Sequence, residues 1–279
     1  MTIKERLDRA SDEIRSRDSE ATLWDARILL AHVLGHTNPL GLDPSLPVPE
    51  GPAGRFEDLW ARRLSGTPVQ HLVGEWDFFG RPFRVDARGL VPRPETEVLI
   101  LQALGAAAGA RSVLDLGTGS GIIAVTLLRE LPEAHAVALD ASLDALALAR
   151  ENGIRHGVLS RLRLAASDWL SAVAGAEFDL VVSNPPYLAR TEAARLPRTV
   201  AAHDPALALY GGDDGLDAIR ALLDGVPGFL ASGAPFLFEI GFGQANEVLR
   251  EAASRPAWRV EGISKDLAGT PRVVRLRRA

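Results

Sequence analysis

Apolar positions divide the chain into three kinds of segment. Leu23, Trp24, Ile28, Leu29, Val33 and Leu34 fall on a stripe with the 3.6-residue period of a helix, and Phe56, Leu59, Trp60 and Leu64 form a second such stripe. Between them, Pro39, Pro44, Pro47, Pro49 and Pro52 forbid an unbroken helix, because proline lacks the N–H that a helix interior uses. Residues 1–73 therefore read as a small helical bundle with one long connection. Over residues 74–91, aromatic and β-branched side chains flank Gly80-Arg81-Pro82, which predicts a hairpin turning there and a linker over 74–94. From Arg111 onward, short apolar runs alternate with helical stretches, the pattern of a parallel sheet wound with helices. Seven strands are predicted, at 112–116, 135–139, 162–165, 178–183, 235–240, 258–262 and 272–276, within a domain of residues 95–279.

Composition narrows the class. A length of 279 residues exceeds one small domain and agrees with two. Hydrophobic residues at 47% and charged residues at 24% are the balance of a soluble globular chain that can bury a core. The absence of cysteine excludes disulfides, a thiolate nucleophile and cysteine-bound metal. The first twenty residues mix both charges without a secretory apolar run, and the longest apolar stretch, 113–128, is broken by three glycines and an aspartate. The expectation is a cytoplasmic protein that does not engage membrane. A net charge of −5 argues against phosphate-led binding of nucleic acid, which leaves a basic footprint.

The first predicted strand, Ser-Val-Leu-Asp-Leu, runs into Gly117-Thr118-Gly119-Ser120-Gly121 and then an apolar helical run. Glycines there permit positive φ and let a ligand approach the backbone at the carboxyl end of a strand, where open α/β sheets bind ligands. A dinucleotide fingerprint needs a further glycine where Ile122 stands, so a nicotinamide dehydrogenase is disfavoured. The G-x-G-x-G spacing instead resembles the first motif of class I methyltransferases. Asp140 ends the second strand nineteen residues after Gly121, a spacing that suits a carboxylate accepting hydrogen bonds from ribose hydroxyls. Its competing role is a cap for the helix that begins near Ser142. Asp168-Trp169 follows the third strand, where that resemblance implies an adenine contact, although Trp169 serves equally well as a core aromatic.

The fourth strand runs straight into Asn184-Pro185-Pro186-Tyr187. Two prolines end the strand, and they also fix φ and extend the residue before them, so the loop can present carbonyls in a rigid array. Such an array suits an amide or amine. The nitrogen of a glutamine side chain is a poor nucleophile because its lone pair is delocalised into the carbonyl. The expected arrangement has the Asn184 side-chain oxygen and the Pro185 carbonyl accepting the two amide hydrogens while the Tyr187 ring packs on the amide plane. Neither a metal nor a histidine base is needed, and His203 is left outside the catalytic set.

Together these segments resemble the HemK-type glutamine methyltransferases of bacterial peptide chain release factors. The resemblance extends through Asp25-Ala26-Arg27-Ile28-Leu29-Leu30, Pro92-Arg93-Pro94-Glu95-Thr96-Glu97, Ala206-Leu207-Ala208-Leu209-Tyr210-Gly211-Gly212, Asp214-Gly215-Leu216, Phe238-Glu239-Ile240-Gly241 and Asp266-Leu267-Ala268-Gly269. It implies a class I S-adenosylmethionine-dependent methyltransferase: an α/β fold with a Rossmann-like seven-stranded sheet whose last strand runs antiparallel, a small N-terminal helical domain that docks substrate, and a linking β-hairpin. The implied cofactor site is Gly117, Thr118, Gly119, Ser120, Gly121, Asp140, Trp169 and Asn184. The implied substrate site is Asn184, Pro185, Pro186 and Tyr187, with Asn184, Pro185 and Tyr187 catalytic. Pro92–Glu97 reads as an ordinary helix start and, by the resemblance, as a wall of the methionine pocket. One departure stands out: His203-Asp204-Pro205 replaces an aromatic residue and a glutamate before that proline. The implied substrate is the glutamine of the Gly-Gly-Gln motif of a release factor. Alternatives are a ribosomal-protein glutamine methyltransferase, an adenine amino-methyltransferase of nucleic acid, and a noncatalytic binding module, which would not need an intact tetrapeptide.

Overall fold

The computed structural model describes residues 1–279, the side chains of Ala194 and Arg195 excepted. In chain order, the first half holds α1 (Ile3–Ser16), α2 (Leu23–Leu34), α3 (Glu50–Leu64), α4 (Val69–Val73), β1 (Glu75–Phe78), β2 (Arg81–Arg84), α5 (Thr96–Ala106), β3 (Ser112–Leu116), α6 (Ile122–Glu130) and β4 (His135–Asp140). The second half continues with α7 (Leu143–Arg155), β5 (Leu162–Ala166), β6 (Leu180–Ser183), α8 (Arg198–His203), α9 (Ala206–Leu209), α10 (Asp217–Gly225), β7 (Pro235–Glu239), α11 (Ala245–Ala253), β8 (Trp258–Lys265) and β9 (Pro271–Arg278). Two compact units share these elements: Met1–Glu75 with Arg195–Asp204, and Trp76–Ala194 with Pro205–Ala279. Among the described residues, no helix is long and apolar enough to cross a membrane.

The first unit is helical. Thr2 and Thr22 open α1 and α2 with capping boxes, each hydroxyl accepting the N–H three residues on while that residue's carboxylate accepts the threonine N–H. Helix α2 is buried around most of its circumference through Ala26, Leu29 and Leu30. Leu23 and Trp24, assigned to its buried stripe by periodicity, are 41% and 46% exposed. A buried place goes instead to Asp25, whose carboxylate pairs at 3.0 Å with the buried Arg63 of α3. An ion pair can occupy a core position when each charge is met, which apolar periodicity does not register. The carboxylate of Glu20 seats α8 by accepting the backbone N–H groups of Arg198 at 2.6 Å and Thr199 at 3.0 Å. His203 ends that helix.

The second unit opens with the β1–β2 hairpin. Its turn is Phe79-Gly80, both at positive φ (52° and 69°), the geometry of tight two-residue hairpin turns. The turn therefore lies one residue earlier than predicted, and Arg81 and Pro82 belong to β2. All seven other strands form one sheet in the order β5-β4-β3-β6-β7-β9-β8. Every pairing from β5 to β7 is parallel, and β9 runs antiparallel to both of its neighbours. Side chains alternate between two cores along the strands. Val113, Leu180 and Val182 join one cluster with α5 and α6, whereas Leu114, Leu116 and Val181 join the other with α10 and α11. Each predicted strand is found, with shifted ends: β6 starts at Leu180 because Phe178 makes only an isolated bridge to Leu230, and β8 runs on to Lys265 past an irregularity at Val260–Gly262. Strand order reverses direction between β3 and β6, and the crevice at the carboxyl ends there is where such sheets take ligands.

Candidate active site

The glycine turn is built as a rigid ledge. Gly117, Gly119 and Gly121 all have positive φ, and the N–H groups of Gly117 and Thr118 both donate to the Leu139 carbonyl. At Gly121 a Cβ would lie 2.9 Å from the Ala149 Cβ, so the last glycine of the motif is what lets α6 start against α7. Below the turn, the fully buried Asp115 accepts from the Thr118 hydroxyl at 2.6 Å and the Ala124 N–H at 3.2 Å. Burial raises its carboxyl to about 7, against the pull of those two hydrogen bonds. Because the folded-state carboxyl titrates above the unfolded one, its contribution to stability is complete below the ordinary aspartate range and is lost as pH rises through 7. Between pH 5 and 8 the expected loss is on the order of 2 kcal/mol. Asp115→Asn should remove that share, read as a flatter dependence of the urea midpoint on pH in cofactor-free protein. An unchanged slope would mean that Asp115 is ionised throughout.

Asp140 closes β4, half-buried, with Oδ2 accepting the Gly119 N–H at 2.8 Å and Oδ1 the Ser142 N–H at 2.9 Å. The cap of α7 is Ser142, whose hydroxyl accepts the Ala145 N–H at 3.2 Å. Each Asp140 oxygen keeps a further lone pair, which a vicinal diol could meet. Trp169 stands at φ 49°, a left-handed conformation rare for a bulky residue, and Ser167 ties down its carbonyl at 2.8 Å. Its ring approaches Gly117 and also packs on the apolar cluster of α10 and α11, so the core and cavity readings coexist. Asp140, Asp168, Trp169 and the turn residues Gly117 to Ser120 all line one cavity of about 400 Å³, within the size range of small-molecule sites. Gly121 does not line it; its part is the packing just described.

Half of the tetrapeptide meets the same cavity, and Pro185 and Tyr187 do not line it. Ser183 ends β6 with its hydroxyl on the Leu116 carbonyl at 2.7 Å, and Asn184 and Pro186 line the cavity. Pro185 is buried, and the Tyr187 hydroxyl points to Glu239 Oε1 at 3.5 Å. Burial, then the Glu239 charge, raises the Tyr187 phenol above its ordinary range. Loop geometry after the tetrapeptide is set by backbone proximity: Leu188 donates to the Leu209 carbonyl, Gly211 donates to the Leu188 carbonyl, and a Cβ on Gly211 would lie 2.5 Å from the Pro186 carbonyl. Gln244 holds the Tyr187 carbonyl at 2.8 Å. Pro205, Leu207 and Tyr210 add to the cavity wall.

Two functional candidates escape a local reading of the sequence. Thr96 and Glu239 are each 1% exposed and hydrogen-bonded to one another at 2.8 Å, and Thr96 accepts from Asn184 Nδ2 at 3.3 Å. A carboxylate at the end of the apolar run Pro-Phe-Leu-Phe was the available signal for Glu239. Thr96 belongs to Pro92–Glu97, marked in the sequence only as a segment, as a helix start and a wall of the methionine pocket; Pro92, Arg93 and Thr96 line the cavity.

The carboxylate at a strand end, the flat indole and the glycine ledge match the diol, base and backbone-seeking ends of an adenosyl cofactor. Comparison with known proteins identifies the family. Residues 95–203 match the family described as Methyltransferase small domain, and residues 5–74 match the PrmC N-terminal domain. The release factor glutamine methyltransferase of Cereibacter sphaeroides is 48% identical over 255 residues, covering 91% of this chain and 90% of that protein. That of Bradyrhizobium diazoefficiens is 40% identical, covering 95% and 91%. Among solved structures, a methyltransferase from Pyrococcus furiosus superposes with a TM-score of 0.55 at 19% identity over 72% of this chain and 90% of that one, a likeness of fold. The cofactor is S-adenosylmethionine, and the chain belongs to the release factor glutamine methyltransferases.

Proposed function

We propose that this enzyme methylates the side-chain amide nitrogen of the glutamine in the Gly-Gly-Gln motif of a peptide chain release factor and thereby modulates translation termination. The observation that carries the reading is Asn184, which directly follows the central strand β6 and stands in the wall of the cavity that Asp140 and Trp169 also line. S-adenosylmethionine supplies a methyl group on a positive sulfonium, open to in-line displacement. The chain's own work is positioning. The Asn184 side-chain oxygen and the Pro185 carbonyl accept the two amide hydrogens, which lines up the nitrogen and increases its electron density. The Tyr187 ring packs on the amide plane, and the glycine ledge with Asp140 and Trp169 holds the cofactor. On transfer the positive charge would pass from the sulfonium to the amide nitrogen, whose N–H thereby becomes strongly acidic and gives its proton to water, so the chain need not supply a general base. The names of the relatives and the acceptor-rich loop support this reading, and glycines beside the target glutamine leave little bulk to obstruct a narrow pocket.

The test uses labelled cofactor with an intact release factor, its Gln-to-Ala loop form, the corresponding loop peptide, a large-subunit ribosomal protein and nucleic acid. Label should enter the intact factor and disappear with the Gln-to-Ala form. The peptide should be a poorer substrate, because it must also lose conformational entropy that remote docking of the whole factor on the helical unit offsets. Undiminished labelling of the Gln-to-Ala form, or preference for the ribosomal protein or nucleic acid, would sink the assignment.

A further inference from the structure

An asparagine in a methyl-acceptor site can face its substrate with either end. The oxygen end receives N–H groups, whereas the NH2 end would receive a carbonyl or carboxylate, and the two ends are nearly the same size. Something must choose between them. Here the choice is made outside the cavity. Thr96, the first residue of α5, lies between Asn184 and Glu239: its hydroxyl is 2.8 Å from Glu239 Oε2 and 3.3 Å from Asn184 Nδ2. A hydroxyl has one proton. If Glu239 receives it, the Thr96 oxygen can only accept from Asn184, and so it must be met by the NH2 end.

We infer that Glu239, acting through Thr96, is a positioning residue that fixes the polarity of Asn184, turning its oxygen toward the acceptor amide and so selecting glutamine over glutamate. The inference rests on the reading of Asn184 as the residue that faces the methyl acceptor. Three further observations support it. Glu239 and Thr96 are both buried, and Glu239 ends β7, which is paired on both sides, so the carboxylate has little freedom to move. The same carboxylate approaches the Tyr187 hydroxyl through Oε1, so both polar side chains of the tetrapeptide refer to it. Keeping a carboxylate there is unfavourable: burial raises Glu239 to about 7, with Glu95 adding to the rise and the Thr96 hydroxyl, Arg272 and Tyr187 opposing it. A neutral side chain of that shape would pack at lower cost, which points to a requirement for the carboxylate, the form that can only accept and that prevails as pH rises through 7.

The experiment compares wild type, Thr96→Val and Thr96→Ser using the intact release factor as substrate and its Gln-to-Glu loop form as a competitor. Valine keeps the shape but cannot relay, so kcat should fall about 30-fold while the cofactor Kd and the melting temperature change little. Serine restores the hydroxyl and should recover most of the loss. The diagnostic readout is discrimination. Wild type should bind the Gln-to-Glu form poorly, because two acceptors face a carboxylate, and in Thr96→Val that preference should shrink about tenfold as the Asn184 amide becomes free to turn. General damage to the site would weaken both forms alike. Should valine fold poorly, Thr96→Ala, which also lacks the hydroxyl, decides through the same competitor ratio. Unchanged kcat and unchanged discrimination in folded Thr96→Val would overturn the relay, whereas the amide-methylation reading would stand as long as the release factor glutamine is still labelled.

Discussion

Asn184→Ala should reduce methyl transfer to about a thousandth of the wild-type rate or less, because removal of a preorganised polar group at the reacting centre costs that much when no water can replace it in geometry. It directly follows β6, which is held between β3 and β7 in the middle of the sheet, so truncation does not let the loop rebuild the lost acceptor. Cofactor affinity should remain within about tenfold, roughly 1.4 kcal/mol, since the ledge, Asp140 and Trp169 are untouched. Single-turnover transfer to the release factor, run beside a calorimetric titration of cofactor, separates the two quantities. Near-normal turnover would remove Asn184 from the mechanism. A collapse of cofactor binding that matches the loss of rate would move its role from acceptor to cofactor.

Asp140→Ala should weaken cofactor binding by about 100-fold, the equivalent of roughly 2.7 kcal/mol, as expected for the loss of charge-assisted hydrogen bonds to a diol. The carboxylate also accepts the N–H groups of Gly119 and Ser142, so alanine loosens the ledge as well as deleting the ligand. Asp140→Asn separates these effects. Its one amide oxygen can keep one of the two backbone bonds, and its neutral charge weakens the bond to ribose, so it should fall between wild type and alanine. The fold should persist in both variants, because the cap of α7 is Ser142 and the sheet core lies elsewhere. Calorimetry with cofactor, together with melting curves, checks both points. Wild-type affinity in a folded alanine variant would leave Asp140 with a local backbone role alone.

By itself the sequence determined the succession of elements and the two motif loops, because each rests on residues close together in the chain. Short apolar runs mark β3, β4 and β6, and the glycines after β3 and the prolines after β6 mark where the chain must turn. The helical N-terminal region was legible for the same reason, through period and proline. Finer assignments depended on partners that local pattern does not carry. Leu23 and Trp24 share the apolar stripe of α2 yet lie at the surface, while Asp25 is buried, because Arg63, 38 residues on, comes to meet it. The hairpin turned at Phe79 rather than beyond Gly80 because strand twist favours two residues at positive φ even when one is a phenylalanine. Ser142 took the cap for which Asp140 competed, which only backbone geometry could decide. Most of all, Thr96 and Asn184 are 88 residues apart, and Thr96 and Glu239 are 143 apart. Nothing in the neighbourhood of any of the three specifies the contact. It exists because α5 packs on the sheet where β6 and β7 pair, and the orientation of a side-chain amide is set by whichever donor or acceptor the fold brings within 3 Å or so of it.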